Sequence, residues 1–348
     1  MIRVLIVEDS ITQREILKRL VNGDGAFIVI AEARNGREAI AKVLEHSPDV
    51  VLMDIHMPDM DGIEATRQIM QQCPVPIVVA SATLRKQDVN LAMQALEAGA
   101  VSVISKPEGA VLLHLEKIAP SLRNELLAAS TAKIIRRVSF GRRESATQRQ
   151  SAIARGNPID IIGVCASTGG PPVLMQLFSA LPKPLPVPVL LVQHISAGFE
   201  EGFARWLSDT TGQSVRLATS GQKLEPGIWM APNGTHLTVS SPARIALVPK
   251  NPKDIHSPSG NPQFESLAKH FGPRAVGVLL TGMGDDGARG LLALKLAGGM
   301  TIIQDEASCM IWGMPKSGKQ LNAATHEMNP EEIAAALTQL LERRPKAS

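Results

Sequence analysis

The 348-residue chain predicts an α/β protein of two consecutive units, each a parallel sheet wound with helices. Three observations carry this. Short apolar runs recur without polar alternation, as strands buried on both faces require. Helical patterns lie between most of them, and a parallel connection needs such a crossover. The charge is uneven: residues 1–120 are net −4 (12 Lys/Arg against 16 Asp/Glu), 121–157 are +6 (8 against 2) and 158–348 are +1 (16 against 15). The basic middle stretch also holds Ser139, Gly141, Ser145, Thr147, Ser151 and Gly156, a linker composition. The expected division is a first domain over 1–122, a basic flexible linker over 123–156 and a second domain over 157–343.

Composition excludes several classes. Aromatic residues make up 3% with no Tyr, which counts against a base-stacking nucleic-acid platform. No apolar run reaches the roughly 18 residues of a membrane span, so no membrane insertion is expected. Met1-Ile2-Arg3 leads directly into a strand pattern, and no signal peptide is visible. Cys73, Cys165 and Cys309 are widely spaced and odd in number, fitting neither a disulfide framework nor a zinc site. A cytoplasmic location is the expectation.

In the first domain the strand candidates are residues 4–7, 27–31, 50–53, 77–80 and 101–104. Gly23, Gly36, Pro48 and Gly99 stop the helices between them, and Ser10-x-x-Gln13 is a capping-box signal. Polar residues gather at the strand ends: Glu8 and Asp9 after the first, Asp54 at the third, Ser81 after the fourth, Lys106-Pro107 after the fifth. In a doubly wound sheet those ends converge where ligands bind. Crowded carboxylates repel unless a cation neutralises them, and a hard oxygen site suits Mg²⁺.

The second domain is organised around Ile159-Asp160-Ile161-Ile162-Gly163-Val164-Cys165-Ala166-Ser167-Thr168-Gly169-Gly170, with a helix from about Val173. Strand, small-residue turn and helix can display a nucleophile or cradle an anion. Further strands are expected at 187–192, 228–230, 237–239, 245–248, 276–280 and 300–303, with a hairpin-like insertion near 228–248. Helices are expected at 200–208, 288–297 and 331–341. His194 follows one strand, and Asp285 and Asp286 follow another through Thr281-Gly282-Met283-Gly284. A Ser hydroxyl needs a His to take its proton and a carboxylate to orient that His. The order Ser, His, Asp differs from that of α/β-hydrolases, and Cys165 breaks a G-x-S-x-G elbow. Cys165 is a rival nucleophile, although an apolar strand end also suits a buried Cys.

Two resemblances follow from these residues. The first domain resembles the flavodoxin-like receiver of bacterial response regulators, including the loop Met57-Pro58-Asp59-Met60-Asp61-Gly62. This implies that a histidine kinase phosphorylates Asp54, that Glu8, Asp9, Asp54 and the His56 backbone hold Mg²⁺, and that Ser81 and Lys106 contact the phosphoryl oxygens. Val103 replaces the usual aromatic switch residue. The second domain, with Ala166-Ser167-Thr168-Gly169-Gly170, Gln193-His194-x5-Phe199-x3-Phe203-Ala204 and Leu280 to Gly287, resembles the chemotaxis protein-glutamate methylesterase/glutaminase (CheB) family. Gln304 to Cys309 and Gly313-Met314-Pro315 extend the match.

The resemblance implies Ser167 as nucleophile, His194 as base and acid, Asp286 rather than Asp285 as the orienting carboxylate, and the Met283 N–H in the oxyanion hole. It implies chemoreceptor glutamyl esters and glutamines as substrates, with no metal or other cofactor in that site. Departures are His194-Ile195-Ser196, Asn233 before Gly234-Thr235-His236, and Asn261 where an Asp often ends Ser257-Pro258-Ser259-Gly260. Two other readings remain: a phosphorylation-controlled module whose Ser-Thr-Gly-Gly turn binds an anion, and a DNA-binding response regulator. No helix-turn-helix pattern supports the latter.

Overall fold

The computed structural model describes residues 1–23, 25–81, 86–106, 115–133 and 158–343. The chain divides into two compact units, Met1–Ile134 with Ile195–Phe203, and Ile135–His194 with Ala204–Ser348. The segment Ile195–Phe203, which includes the first turn of the helix Glu200–Thr211, groups with the first unit.

The first unit alternates β1 (Ile2–Val7), α1 (Ile11–Asn22), β2 (Phe27–Ala33), α2 (Gly36–His46), β3 (Val50–Asp54), α3 (Gly62–Gln72), β4 (Ile77–Ser81), α4 (Lys86–Ala98), β5 (Ser102–Ser105) and α5 (Leu115–Ser130). All strand pairs are parallel, in the order β2-β1-β3-β4-β5. The winding direction reverses between β1 and β3, so their carboxyl ends flank the crevice such sheets open to ligands. Residues 50–54 and 77–81 are buried throughout, which explains their unbroken apolar character.

Two details depart from expectation. The capping box is half formed: Ser10 Oγ accepts from the Gln13 N–H at 3.4 Å, but the Gln13 side-chain oxygen is buried without a partner. The Ser10 N–H that it would receive from donates to Glu8 Oε1 instead, at 3.3 Å. The linker expected from 123 begins inside α5, which continues to Ser130 through Pro120. Leu122 and Leu126 are buried, and the Arg123 side chain donates to the Leu20 carbonyl at 2.7 Å. The rest of the expected linker, 134–156, lies outside the described residues, as does Pro107.

The second unit holds β6 (Ile161–Ala166), α6 (Gly170–Ala180), β7 (Pro188–Gln193), α7 (Glu200–Thr211), β8 (Val215–Leu217), β9 (Gly227–Met230), β10 (Thr235–Ser241), β11 (Arg244–Pro249), α8 (Gly260–His270), β12 (Ala275–Leu279), α9 (Ala288–Leu296), β13 (Met300–Gln304), α10 (Met314–Gln320), β14 (His326–Met328) and α11 (Pro330–Glu342). Seven parallel strands run β14-β13-β12-β6-β7-β9-β8. The hairpin is β10–β11 alone; residues 228–230 join the main sheet rather than the insertion.

Paired glycines at the sheet centre set the helix positions. Gly163 and Gly277 are register partners on β6 and β12. A Cβ on Gly163 would lie 2.7 Å from Leu267 of α8, and one on Gly277 would lie 2.7 Å from Leu291 of α9. Both helices thus seat closer to the sheet than side chains there would allow. Phe264, Leu267, Leu291 and Leu294 are fully buried at this contact, each worth about 1.5–3 kcal/mol of apolar burial. The contact also fixes the N-terminus of α8 beside the end of β12.

Candidate active site

Ser167, His194 and the 281–286 turn follow β6, β7 and β12, three adjacent strands with β6 central. The ladder continues past the strands: Ser167 N–H donates to Thr281 O at 3.0 Å, and His194 N–H to Ala166 O at 3.0 Å. Gln193, 2% exposed, ties the first two ends together; its amide donates to the Ser167 carbonyl at 3.0 Å and the His194 carbonyl at 2.8 Å. The third end is held by Gln304, whose side-chain oxygen accepts from the Thr281 N–H at 2.9 Å.

His194 Nε2 lies 2.9 Å from Asp286 Oδ2, while Nδ1 is buried without a hydrogen-bond partner. Asp286, 3% exposed, also accepts from Ser259 Oγ at 2.6 Å, the Gly260 N–H at 2.8 Å and Asn261 Nδ2 at 3.1 Å. Burial alone would raise this carboxyl; the bond and charge of His194, with Ser259 and Gly260, outweigh it and hold the group below the ordinary carboxylate range. Asp285, by contrast, is exposed. Asn261 in turn accepts from the Gly290 N–H at 2.9 Å, so one side chain spans the starts of α8 and α9.

Gly282 approaches the serine closely: a Cβ there would lie 2.6 Å from Ser167 Cβ. The Ser167 N–H is committed to Thr281, and no backbone acceptor engages the N–H of Met283 among the described residues. Cys165 is buried, with Sγ 4.0 Å from Asp286 Oδ2. Burial first, then the Asp286 charge, pushes its thiol well above the usual cysteine range. Ligand atoms of Cys165, His194 and Asp286 lie within 4.8 Å of one another. A protonated thiol and a carboxylate already filled by donors make a poor cation site.

Sequence reasoning misses His256, whose ring stacks on His194 at 4.6 Å between centroids and 5° between planes. Burial, then the neighbouring His194, lowers its pKa. Ser259 is also missed; Ser257 to Asn261 draws notice only for lacking an Asp.

In the first unit, ligand atoms of Glu8, Asp9 and Asp54 lie within 4.8 Å of one another. Lys106 Nζ reaches Asp54 Oδ1 at 2.6 Å and Glu8 Oε2 at 2.9 Å, and the His56 N–H donates to Asp54 Oδ1 at 3.2 Å. Burial and then the Asp54 charge raise the Glu8 carboxyl against the opposing pull of Lys106. Three oxygen donors with residual mutual repulsion fit a hard divalent cation. Ser81 ends β4 fully buried, and its carbonyl accepts from the Lys106 N–H at 2.9 Å.

Fold and site together define a two-unit α/β protein, with an acidic pocket on one parallel sheet and Ser, His and Asp on the other. Residues 162–337 match the family model described as CheB methylesterase, and 4–116 match the response regulator receiver domain. A protein-glutamate methylesterase/protein-glutamine glutaminase of Methanospirillum hungatei is 40% identical over 99% of both chains. One from Hahella chejuensis is 40% identical over 97% of this chain and 98% of its own. The solved CheB methylesterase catalytic domain of Thermotoga maritima is 30% identical, with a TM-score of 0.51, covering 52% of this chain and 98% of that one. The chain belongs to the CheB methylesterase family and carries a receiver domain.

Proposed function

We propose that this protein hydrolyses glutamyl methyl esters, and deamidates glutamines, on chemoreceptors, under control of phosphorylation at Asp54. The observation that carries the reading is the His194 imidazole: Nε2 is held by Asp286, leaving buried Nδ1 as the ring nitrogen free to take a proton. Ser167 Oγ attacks the ester carbonyl carbon as its proton passes to Nδ1. The oxyanion is met by backbone donors including the Met283 N–H, each worth roughly 3–4 kcal/mol in comparable sites. The protonated His194 returns the proton to the leaving oxygen, releasing methanol. Water activated at the same nitrogen hydrolyses the acyl-enzyme to the glutamate carboxylate. A glutamine amide follows the same course with loss of ammonia.

In the receiver, Glu8, Asp9, Asp54 and the His56 backbone would hold Mg²⁺, which supplies charge neutralisation for phosphoryl transfer from a histidine kinase. Lys106 and Ser81 would contact the phosphoryl oxygens. The test is methanol release from methylated receptor membranes by the wild type and Ser167→Ala. Loss of release with an unchanged thermal midpoint is expected, because a single side-chain oxygen at the end of β6 is removed. Wild-type rates in Ser167→Ala would exclude the mechanism.

A further inference from the structure

The stretch between β11 and α8, residues 250–259, is built rather than slack. His236 on β10 is 4% exposed, and its Nε2 lies 2.8 Å from Asp254 Oδ2. The same oxygen accepts from the Asn251 N–H at 2.7 Å. The turn at Gly234 bridges both ends: its N–H donates to the Ser257 carbonyl at 3.4 Å, and its carbonyl accepts from the Lys250 N–H at 3.2 Å. Further on, Ser259 Oγ is bonded to Asp286. The loop is thus fixed at one end to the buried base of the hairpin and at the other to the candidate catalytic carboxylate.

What this frame holds outward is unusual for its place. Ile255 is 88% exposed, and the next residue, His256, stacks on His194. Consecutive Cα atoms are about 3.8 Å apart, so Ile255 stands at the rim of the site. Lys250 and Lys253 are exposed and make no ion pair among the described residues. Asp254, the acid that follows Lys253 in sequence, is taken by His236. Asp285 is the exposed acid on the neighbouring turn.

We propose that Ile255, Lys250 and Lys253 form a docking edge for the receptor segment that carries the scissile ester, with Ile255 meeting an apolar position and the lysines its unesterified glutamates. This rests on the proposed methylesterase reading and goes beyond it. The charge complementarity follows from the chemistry: every ester or amide hydrolysed leaves a carboxylate, so the segment becomes more anionic with each turnover. A basic edge therefore favours segments already partly hydrolysed. Binding of this kind acts equally on ground and transition states, and changes KM rather than kcat.

The test uses the full chain and methylated receptor membranes, with initial rates of methanol release measured against receptor concentration. Ile255→Ser and the double variant Lys250→Gln/Lys253→Gln should each raise KM at least roughly fivefold, with kcat altered less than about twofold. Wild-type KM should rise with added salt, and the double variant should lose most of that dependence. Receptor with Glu at the sites flanking the ester should bind the wild type more tightly than receptor with Gln there. Unchanged KM and salt dependence in the variants, while the wild type releases methanol, would overturn the docking edge alone. No methanol from the wild type would overturn the functional reading and the edge with it.

Discussion

Asp286 is buried but accepts hydrogen bonds from His194, Ser259, Gly260 and Asn261, and these favour its ionised form against the cost of burial. Its folded-state pKa lies below its unfolded value. The stability it contributes is therefore complete above the unfolded carboxylate range, near pH 4, and is lost as pH falls towards the folded value. Asp286→Asn should flatten acid unfolding of the catalytic unit below about pH 4, read by circular dichroism. In the same variant an amide can donate to Nε2 and shift the proton to Nδ1. Nitrogen NMR of the wild type should show His194 protonated at Nε2; the variant should show the reverse tautomer and lose activity by about 10⁴-fold. A wild-type tautomer with full activity would remove Asp286 from its orienting role. Cys165→Ala makes the complementary case. Its thiol stays protonated, so activity should remain within about twofold while stability falls by about 1 kcal/mol for the small cavity. Ser167, His194 and Asp286 stand out in sequence because the first two come at the ends of apolar runs and the third closes the glycine-rich turn after another. His256, Ser259 and Gln193 are not, because their roles are contacts across 26 to 62 positions of chain that no local pattern encodes.

At the scale of elements, close backbone approach decides more than propensity. Gly62 opens α3, and a Cβ there would lie 1.9 Å from the carbonyl oxygen of Asp54. That oxygen belongs to backbone and cannot swing away. Gly62→Ala should therefore destabilise the receiver by about 2–4 kcal/mol, as overpacking against a fixed group does, and weaken phosphorylation by displacing Asp54. Thermal unfolding should show the receiver transition moving down while the catalytic transition stays; an unmoved profile would mean that the loop relaxes freely. The apolar runs place most strands within one or two residues, because strands buried on both faces have no competing pattern. Three-residue β8 and β14 escape notice, being too short for any periodicity. The extension of α5 also escapes, since Arg123 counts towards the basic charge of the expected linker. The Pro120 ring is tolerated, and Arg123 turns inward onto the Leu20 carbonyl.

For the whole molecule, sequence order shows two sheets but not the lateral order of seven strands, which depends on crossovers between residues far apart in the chain. What joins the sheets functionally is phosphorylation of one and hydrolysis at the other. Each tenfold change in activity requires only about 1.4 kcal/mol of shift between a restrained and an active population. Phosphate at Asp54 would replace the Lys106 contacts to Asp54 and Glu8 with new ones at the ends of β4 and β5, where Val103 provides no aromatic switch. The expected direction is release of restraint, so a chain beginning near Asn157 should fold, hydrolyse receptor esters faster than the unphosphorylated full-length protein, and ignore a small phosphodonor. Folding alone is reasonable, since 98% of the separate Thermotoga maritima catalytic domain aligns with this chain. Methanol release from the two proteins, each with and without phosphodonor and Mg²⁺, decides the matter. If the shortened chain is slower than the unphosphorylated full-length protein, the receiver assembles or delivers the enzyme instead of restraining it, and Asp54 phosphorylation must then act by strengthening that role.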